Sequence, residues 1–523
     1  MKPFSDSHRK MWLSRSLLTC LVIMVGSVTA EEAESCSASD REAITALEAR
    51  SYGTSAGSSC GCRILNTLFA GKVLFPGSSA YKAETTHYWD LRANQAPKCV
   101  FVPTTVQDVA KGVFTLQTCK SQFAVRGAGH MPVPGAANTD GGVLIAMSAF
   151  RDLKLSADLR TLEAGPALSW FDLYSYLEPY KKFVVGGRLK SIGVAGLTLG
   201  GGINYFTARY GFAMDNVVAY QVVLAGGRVV IASATRNTDL FWALKGGGNN
   251  FGIVTRFTFK THDLPSVSTT IQLFGEEAVT PYIRAVADLA NYQDQVDTGA
   301  GGIFTIMTSP ATGVSIQFLG VQDGNTERPA VFANFTAIPN LFSTFGVTTL
   351  SNWSSTLDTP YQAARNMFGM RVCLADEETM QSMYTTFRAA TADMAGIAGF
   401  SANLVFQPIP KSATTVARTN GIGNPWALDN RKAYIFWLIT TLWSNAADDR
   451  TVKQWSNELR ERIHAANVRR GTGERHIYMG DASDAQDPFG SLPPASQARL
   501  KSIRNRYDPQ RVFTKQVTGG FKL

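Results

Sequence analysis

Three glycine clusters crowd one stretch of this 523-residue chain: Arg126-Gly127-Ala128-Gly129-His130, then Gly186-Gly187-Arg188 running on to Gly193-Val194-Ala195-Gly196-Leu197-Thr198-Leu199-Gly200-Gly201-Gly202, then Gly246-Gly247-Gly248-Asn249-Asn250-Phe251-Gly252. Gly127 and Gly129 bracket a tight turn behind the strand-like run Phe123 to Val125. A backbone free of Cβ atoms can bring several N–H groups onto phosphate oxygens, an arrangement that suits a pyrophosphate. One such cluster is an ordinary turn; three favour a large, extended ligand. No G-x-G-x-x-G follows a strand and no G-x-x-x-x-G-K-[ST] is present, so NAD and ATP lose support. Gly57-Ser58-Ser59-Cys60-Gly61 matches G-x-S-x-G, but it lies between cysteines with no strand before it and reads as coincidence.

Around these loops the pattern is α+β. Short β-branched runs at Val100 to Val102, Phe123 to Val125, Gly142 to Ile145 and Val217 to Leu224 alternate with glycine-rich turns. Farther on, Pro281 to Gln295 and Thr379 to Met394 predict helices, and Tyr434 to Leu442, rich in aromatic and β-branched residues, predicts a strand. The chain divides accordingly into a leader at 1–30, an N-terminal segment at 31–93 that carries disulfides, a nucleotide-holding domain at 94–265 and an α/β substrate domain at 266–475. A turn-rich stretch at 476–523 has no core of its own and is expected to return to the first domain. With 45% hydrophobic and 17% charged residues, global disorder is excluded.

Lys2, Arg9, Lys10 and Arg15, the apolar run Leu17 to Val28 and the small residues Val28-Thr29-Ala30 read as a cleaved signal peptide, and hence as a secreted protein. The run is short for a membrane span, and no later stretch is long and apolar enough to be one. The formal charge of +9 includes that leader, and the remaining excess is scattered, which excludes a nucleic-acid surface. Cys36, Cys60, Cys62, Cys99, Cys119 and Cys373 remain after the leader, an even count that permits disulfides, expected among Cys36, Cys60, Cys62 and Cys99. No ligand spacing suits a metal. Asn334-Phe335-Thr336 and Asn352-Trp353-Ser354 are glycosylation sequons.

Arg126 to His130 followed by Met131-Pro132-Val133-Pro134-Gly135 resembles the flavin-attachment loop of fungal FAD-linked oxidoreductases in the berberine bridge enzyme group. Arg209-Tyr210-Gly211, Asp215-Asn216-Val217, Asp239 to Gly247, Asn249 to Thr255, Gln486-Asp487-Pro488, Tyr507-Asp508-Pro509 and Gly519-Gly520-Phe521 match in the same order. The resemblance implies a two-domain vanillyl-alcohol-oxidase-type flavoprotein, with a PCMH-type FAD-binding domain and a substrate domain whose sheet faces the flavin. It implies an FAD-dependent oxidase that passes a hydride from a small organic substrate to flavin N5, with O₂ as acceptor. The FAD-binding residues it implies are Arg126, Gly127, Ala128, Gly129, His130, Met131, Gly187, Gly193, Gly196, Thr198, Gly200, Gly201, Asn216, Asn250, Gly252 and Val254. His130 takes the place of the histidine bonded to the flavin 8α-methyl carbon. Some members add a second bond through a cysteine before the glycine run, but Gly187 to Gly193 contains none, so a single covalent link is expected. Tyr434 and Tyr478 are the candidates for a catalytic base. One departure stands out: Gly480 follows Tyr478-Met479 where the family often has asparagine. An oligosaccharide oxidase, and a cyclase or scaffold whose flavin plays no redox part, are the alternatives.

Overall fold

In the computed structural model, residues 54–357, 361–362, 364–419, 421–517 and 519–523 are described. The leader and Cys36 lie outside them. Strands β1 (Val73–Leu74), β2 (Cys99–Phe101), β3 (Phe123–Arg126) and β4 (Val143–Ala146) make a sheet in the order β1-β2-β4-β3, with β2, β4 and β3 parallel. Parallel neighbours need a crossover. One is a helix, Val106–Thr118, started by a capping box in which Thr105 and Asp108 satisfy each other's backbone N–H groups. Its Val109, Val113 and Leu116, spaced four and three apart, are fully buried on one stripe.

A second sheet in the same half has the order β5-β6-β10-β8-β9, built from β5 (Leu153–Leu155), β6 (Thr161–Ala164), β8 (Val217–Val223), β9 (Val229–Ser233) and β10 (Ile253–Lys260). A short pair, β7 (Lys182–Phe183) with β11 (His262–Asp263), closes its side. The second and third glycine clusters fall in the connections between these strands, with the helix Val194–Gly200 inside the second.

The other half is one antiparallel sheet of eight strands in the order β15-β12-β14-β13-β17-β18-β16-β19. These are β12 (Val267–Phe274), β13 (Ala300–Ser309), β14 (Gly313–Asp323), β15 (Phe342–Thr348), β16 (Arg365–Leu374), β17 (Ser401–Ile409), β18 (Tyr434–Trp443) and β19 (Gly473–Glu474). Helices Val279–Val296, Glu377–Ala390 and Asp449–Arg469 contribute to the core on one face. Strand β18 shows the consequence of period two. Ile435, Trp437 and Ile439 join the helix-covered core, whereas Tyr434, Phe436 and Leu438 join the core shared with the first half. Both faces are covered, which is why β18 reads as an unbroken apolar run.

The disulfides correct one expectation. Cys62 pairs with Cys99, but Cys60 pairs with Cys119, which lay outside the expected four. The reason is helical: Cys60 and Cys62 sit on one helix, Thr54–Leu68, and residues two apart point to nearly opposite sides. Cys62 therefore reaches β2, and Cys60 reaches the C-terminal cap of Val106–Thr118. Cys373 is buried and free.

The final stretch borrows the core of the first half. Helix Pro494–Tyr507 meets Thr238–Leu244 through Tyr507, whose hydroxyl donates to Asp239 at 2.7 Å. The Asp508 carboxylate accepts the N–H groups of Val512 and Phe513, both at 2.8 Å. That turn aims Phe513 at Phe123, and the chain runs on to Gly520 and Phe521 beside the glycine loops. Among the described residues no helix is long and apolar enough to cross a membrane.

Candidate active site

The glycine clusters and the face of the eight-stranded sheet turned toward the first half enclose a cavity of about 380 Å³. Its wall on the first side is largely backbone: Gly127 to Gly129, Gly193, Gly196, Gly200, Gly248, Gly252 and Gly520. Its wall on the second side comes from β13, β16, β17 and β18 through Ile303, Phe368, Val405, Gln407 and Leu438. The loop of Tyr478, Met479, Gly480 and Asp481 joins the two.

His130 stands in the first wall because of the turn before it. Gly129 has φ +75°, and a Cβ there would collide with the carbonyl oxygen of His87, so the chain can bend that sharply only with glycine. The His130 ring stacks on Trp89, 4.7 Å between centroids with an interplanar angle of 17°, and its Nδ1 lies 3.4 Å from Ser191 Oγ. Burial takes its pKa down to about 3. The imidazole is therefore neutral at physiological pH, and a neutral ring nitrogen is a nucleophile.

Asp481 contributes the cavity's carboxylate. Its Oδ2 accepts from Gln407 Nε2 at 2.7 Å; Gln407 Oε1 accepts in turn from the Arg188 guanidinium, which also donates to the Gly302 carbonyl at 3.1 Å. Burial raises the Asp481 pKa, while the Gln407 hydrogen bond and the Arg188 charge oppose the rise. A raised carboxyl in a cleft, held by a fixed amide, can accept a proton from a bound hydroxyl.

The expected site residues fall into two sets. Gly127, Ala128, Gly129, His130, Met131, Gly193, Gly196, Gly200, Gly252, Val254 and Tyr478 line the cavity. The others stand behind it. Arg126 is buried in an ion pair with Glu84 and a hydrogen bond to Ser148, and so anchors the strand that delivers the turn. Gly187 accepts from the Tyr174 hydroxyl, Thr198 donates back to Val194 within its helix, and Gly201 lies against Trp426. Asn216 ties Tyr210 and Phe212 together, and Asn250 holds Gly247 and the terminal Phe521 and Leu523. Tyr434 lies outside the cavity, its hydroxyl exchanging hydrogen bonds with the Asp429 backbone, with a pKa pushed up to about 12 by burial. The Tyr478 phenol is raised further by burial, which outweighs the opposing effect of the backbone at Gly202 and Ile203.

Gly480 has a local explanation. A Cβ at 480 would run into the phenol ring of Tyr478, which folds back over this glycine. Sequence reasoning missed Asp481, Gln407, Arg188 and Trp89. Asp481 lies one residue beyond the Tyr478-Met479-Gly480 segment already singled out, and Gln407 is a polar residue on the face that Val405 marks as apolar. Arg188 ends the Gly186-Gly187-Arg188 run already singled out for its glycines, and Trp89 carries no comparable signal of its own.

The cavity fits a long ligand with a pyrophosphate, since one wall is a chain of side-chain-free turns and the other is built for a substrate. The FAD binding domain model matches residues 97–233, the part that carries the first two glycine clusters. The FAD-dependent monooxygenase prx3 of Penicillium roqueforti is 31% identical over 477 residues, covering 88% of this chain and 93% of its own. The bifunctional solanapyrone synthase of Alternaria solani is 31% identical over 463 residues, covering 88% of each. Among solved structures, the xylooligosaccharide oxidase of Myceliophthora thermophila aligns with a TM-score of 0.73 at 18% identity, over 90% of this chain and 100% of that one. The 6-hydroxy-D-nicotine oxidase of Arthrobacter nicotinovorans aligns with a TM-score of 0.69 at 19% identity, over 85% and 97%. With the glycine-walled cavity, the matched domain and fungal relatives along nearly the whole chain, this protein belongs to the fungal FAD-dependent oxidoreductases, and its fold is that of BBE-like and vanillyl-alcohol-oxidase-type flavoproteins.

Proposed function

We propose that this flavoenzyme is a secreted oxidase that converts a carbon bearing a hydroxyl group to a carbonyl, with Asp481 as the base and His130 as a single covalent anchor for FAD. The observation that carries the reading is Asp481, the one carboxylate among the described residues lining the cavity. In the reaction the O–H proton passes to Asp481, the C–H bond yields its hydrogen with both electrons as hydride, and the carbon–oxygen double bond forms. FAD, held along the Gly127 to His130 turn and the Gly193 to Gly200 loop, would supply the two-electron acceptor, with O₂ as the final oxidant going to H₂O₂. Gln407 orients the carboxylate and Arg188 holds Gln407; Trp89 keeps the His130 ring in one plane. Tyr478 closes the cavity between the two halves, its phenol kept protonated by burial.

Secretion is supported by the N-terminal leader, by the two disulfides, and by the exposure of both sequon asparagines, Asn334 and Asn352. The covalent link is supported by a neutral, ring-stacked His130 on the cavity wall and by Leu189, Ser191 and Ile192 where a second anchor would need cysteine. Anaerobic mixing with an oxidisable alcohol should bleach the visible flavin absorbance in the wild type. In Asp481→Asn the bleaching rate should fall about 10²- to 10⁴-fold with flavin content unchanged. An unaltered rate in that variant would remove Asp481 from the role.

A further inference from the structure

The geometry points to a substrate that is largely hydrocarbon and presents a single hydroxyl group, and not to a sugar. This rests on the oxidase reading above and adds the substrate class. Alternate residues of each strand face the cavity, and the four strands at the wall send Ile303, Phe368, Val405 and Leu438 into it, with Trp89 continuing the apolar surface. Gln407 is the one polar side chain these strands contribute there. Its amide is used at both ends, accepting from Arg188 and donating to Asp481, and Arg188 also serves the Gly302 carbonyl.

The polar groups of this wall thus satisfy one another. A bound hydroxyl finds the Asp481 carboxylate to donate to, with the Tyr478 phenol beside it. A sugar residue would bring several hydroxyls against Ile303, Val405 and Leu438, each giving up water for a hydrocarbon neighbour. A ring or chain of carbon gives up nothing there and gains by leaving water. One misplaced hydroxyl in an apolar pocket discriminates by about 10²-fold, so a sugar with several should be refused more strongly.

The test uses the holoenzyme with cinnamyl alcohol and geraniol on one side, and xylobiose and cellobiose on the other. Two readouts are taken: perturbation of the oxidised flavin spectrum on binding, and its bleaching under anaerobic conditions. The expected result is that the apolar alcohols perturb and bleach with kcat/KM at least about 100-fold above the sugars. Leu438→Asn, with flavin content checked, should then lower kcat/KM for the alcohols about 10-fold. Sugars bleaching as well as or better than the alcohols, or no spectral perturbation by either alcohol, would overturn the substrate class. Perturbation by the alcohols without bleaching would leave the class standing and sink the oxidase reading instead.

Discussion

Asp481 brings a negative charge into a cavity whose other walls are glycine backbone and hydrocarbon, and the groups facing it decide when that charge exists. Arg188 and Gln407 favour the carboxylate, burial disfavours it, and Tyr478 beside it stays protonated. Replacing Gln407 by Leu removes a hydrogen bond made to the charged form, so the Asp481 pKa must rise. The base works deprotonated, so activity is lost as pH falls, and the acid limb of kcat/KM in Gln407→Leu should move up by about one unit. An acid limb at the wild-type position, with activity lost uniformly instead, would show that Gln407 only shapes the pocket. At His130 the expected result is chemical: wild-type protein precipitated by acid keeps its yellow colour in the pellet, and His130→Ala releases it to the supernatant. Colour leaving the wild-type pellet would end the covalent assignment. Gly480→Asn must displace the Tyr478 ring and should lower kcat.

At the scale of elements, the helix Thr54–Leu68 is tied twice, to the C-terminal end of Val106–Thr118 through Cys119 and to β2 through Cys99. Each bridge closes a long loop, 59 and 37 residues in sequence, and loops of that size restrict the unfolded chain by about 4 kcal/mol in the chain-entropy model. Measured values run lower, so replacing both Cys62 and Cys99 by Ser should cost about 2–4 kcal/mol in denaturant melts. A change within error would mean that the buried stripe of Val109, Val113 and Leu116 holds this region without help. The sheet strands do a different job. Period two lets β18 place Leu438 in the cavity and Trp437 in the helix-covered core, so one strand serves chemistry and packing at once.

Across the whole molecule, several histidines are buried neutral. His476 packs between Trp426 and Phe436, 4.8 and 5.5 Å away, and burial lowers its pKa to about 3; His262, bonded to Asn216, is lowered to about 4. In the unfolded chain both titrate near 6.5, so between about pH 6.5 and their folded values the unfolded state binds more protons. Stability is therefore full above about pH 6.5 and falls as pH drops, with each group adding up to about 1.4 kcal/mol per pH unit. His476→Leu should flatten the decline of Tm between about pH 6 and pH 4 relative to wild type. Identical slopes would place the acid sensitivity elsewhere.

The sequence by itself determined the cofactor and the order of the parts. Three glycine clusters together admit a pyrophosphate and the resemblance carried by Arg126 to Gly135 implies FAD, while alternation or helical spacing marks elements such as Val217 to Leu224 and Pro281 to Gln295 within the chain itself. Those signals are local, so they survive without a structure. Only the tertiary structure decided that Cys60 meets Cys119, that Tyr434 turns away to Asp429, and that Arg188, Gln407 and Asp481 form one hydrogen-bonded line. Arg188 and Gln407 lie 219 positions apart and Gln407 and Asp481 74, and nothing local in any of them encodes the partner. The flavin loop is a property of short segments; the chemistry opposite it is a property of how two sheets face each other.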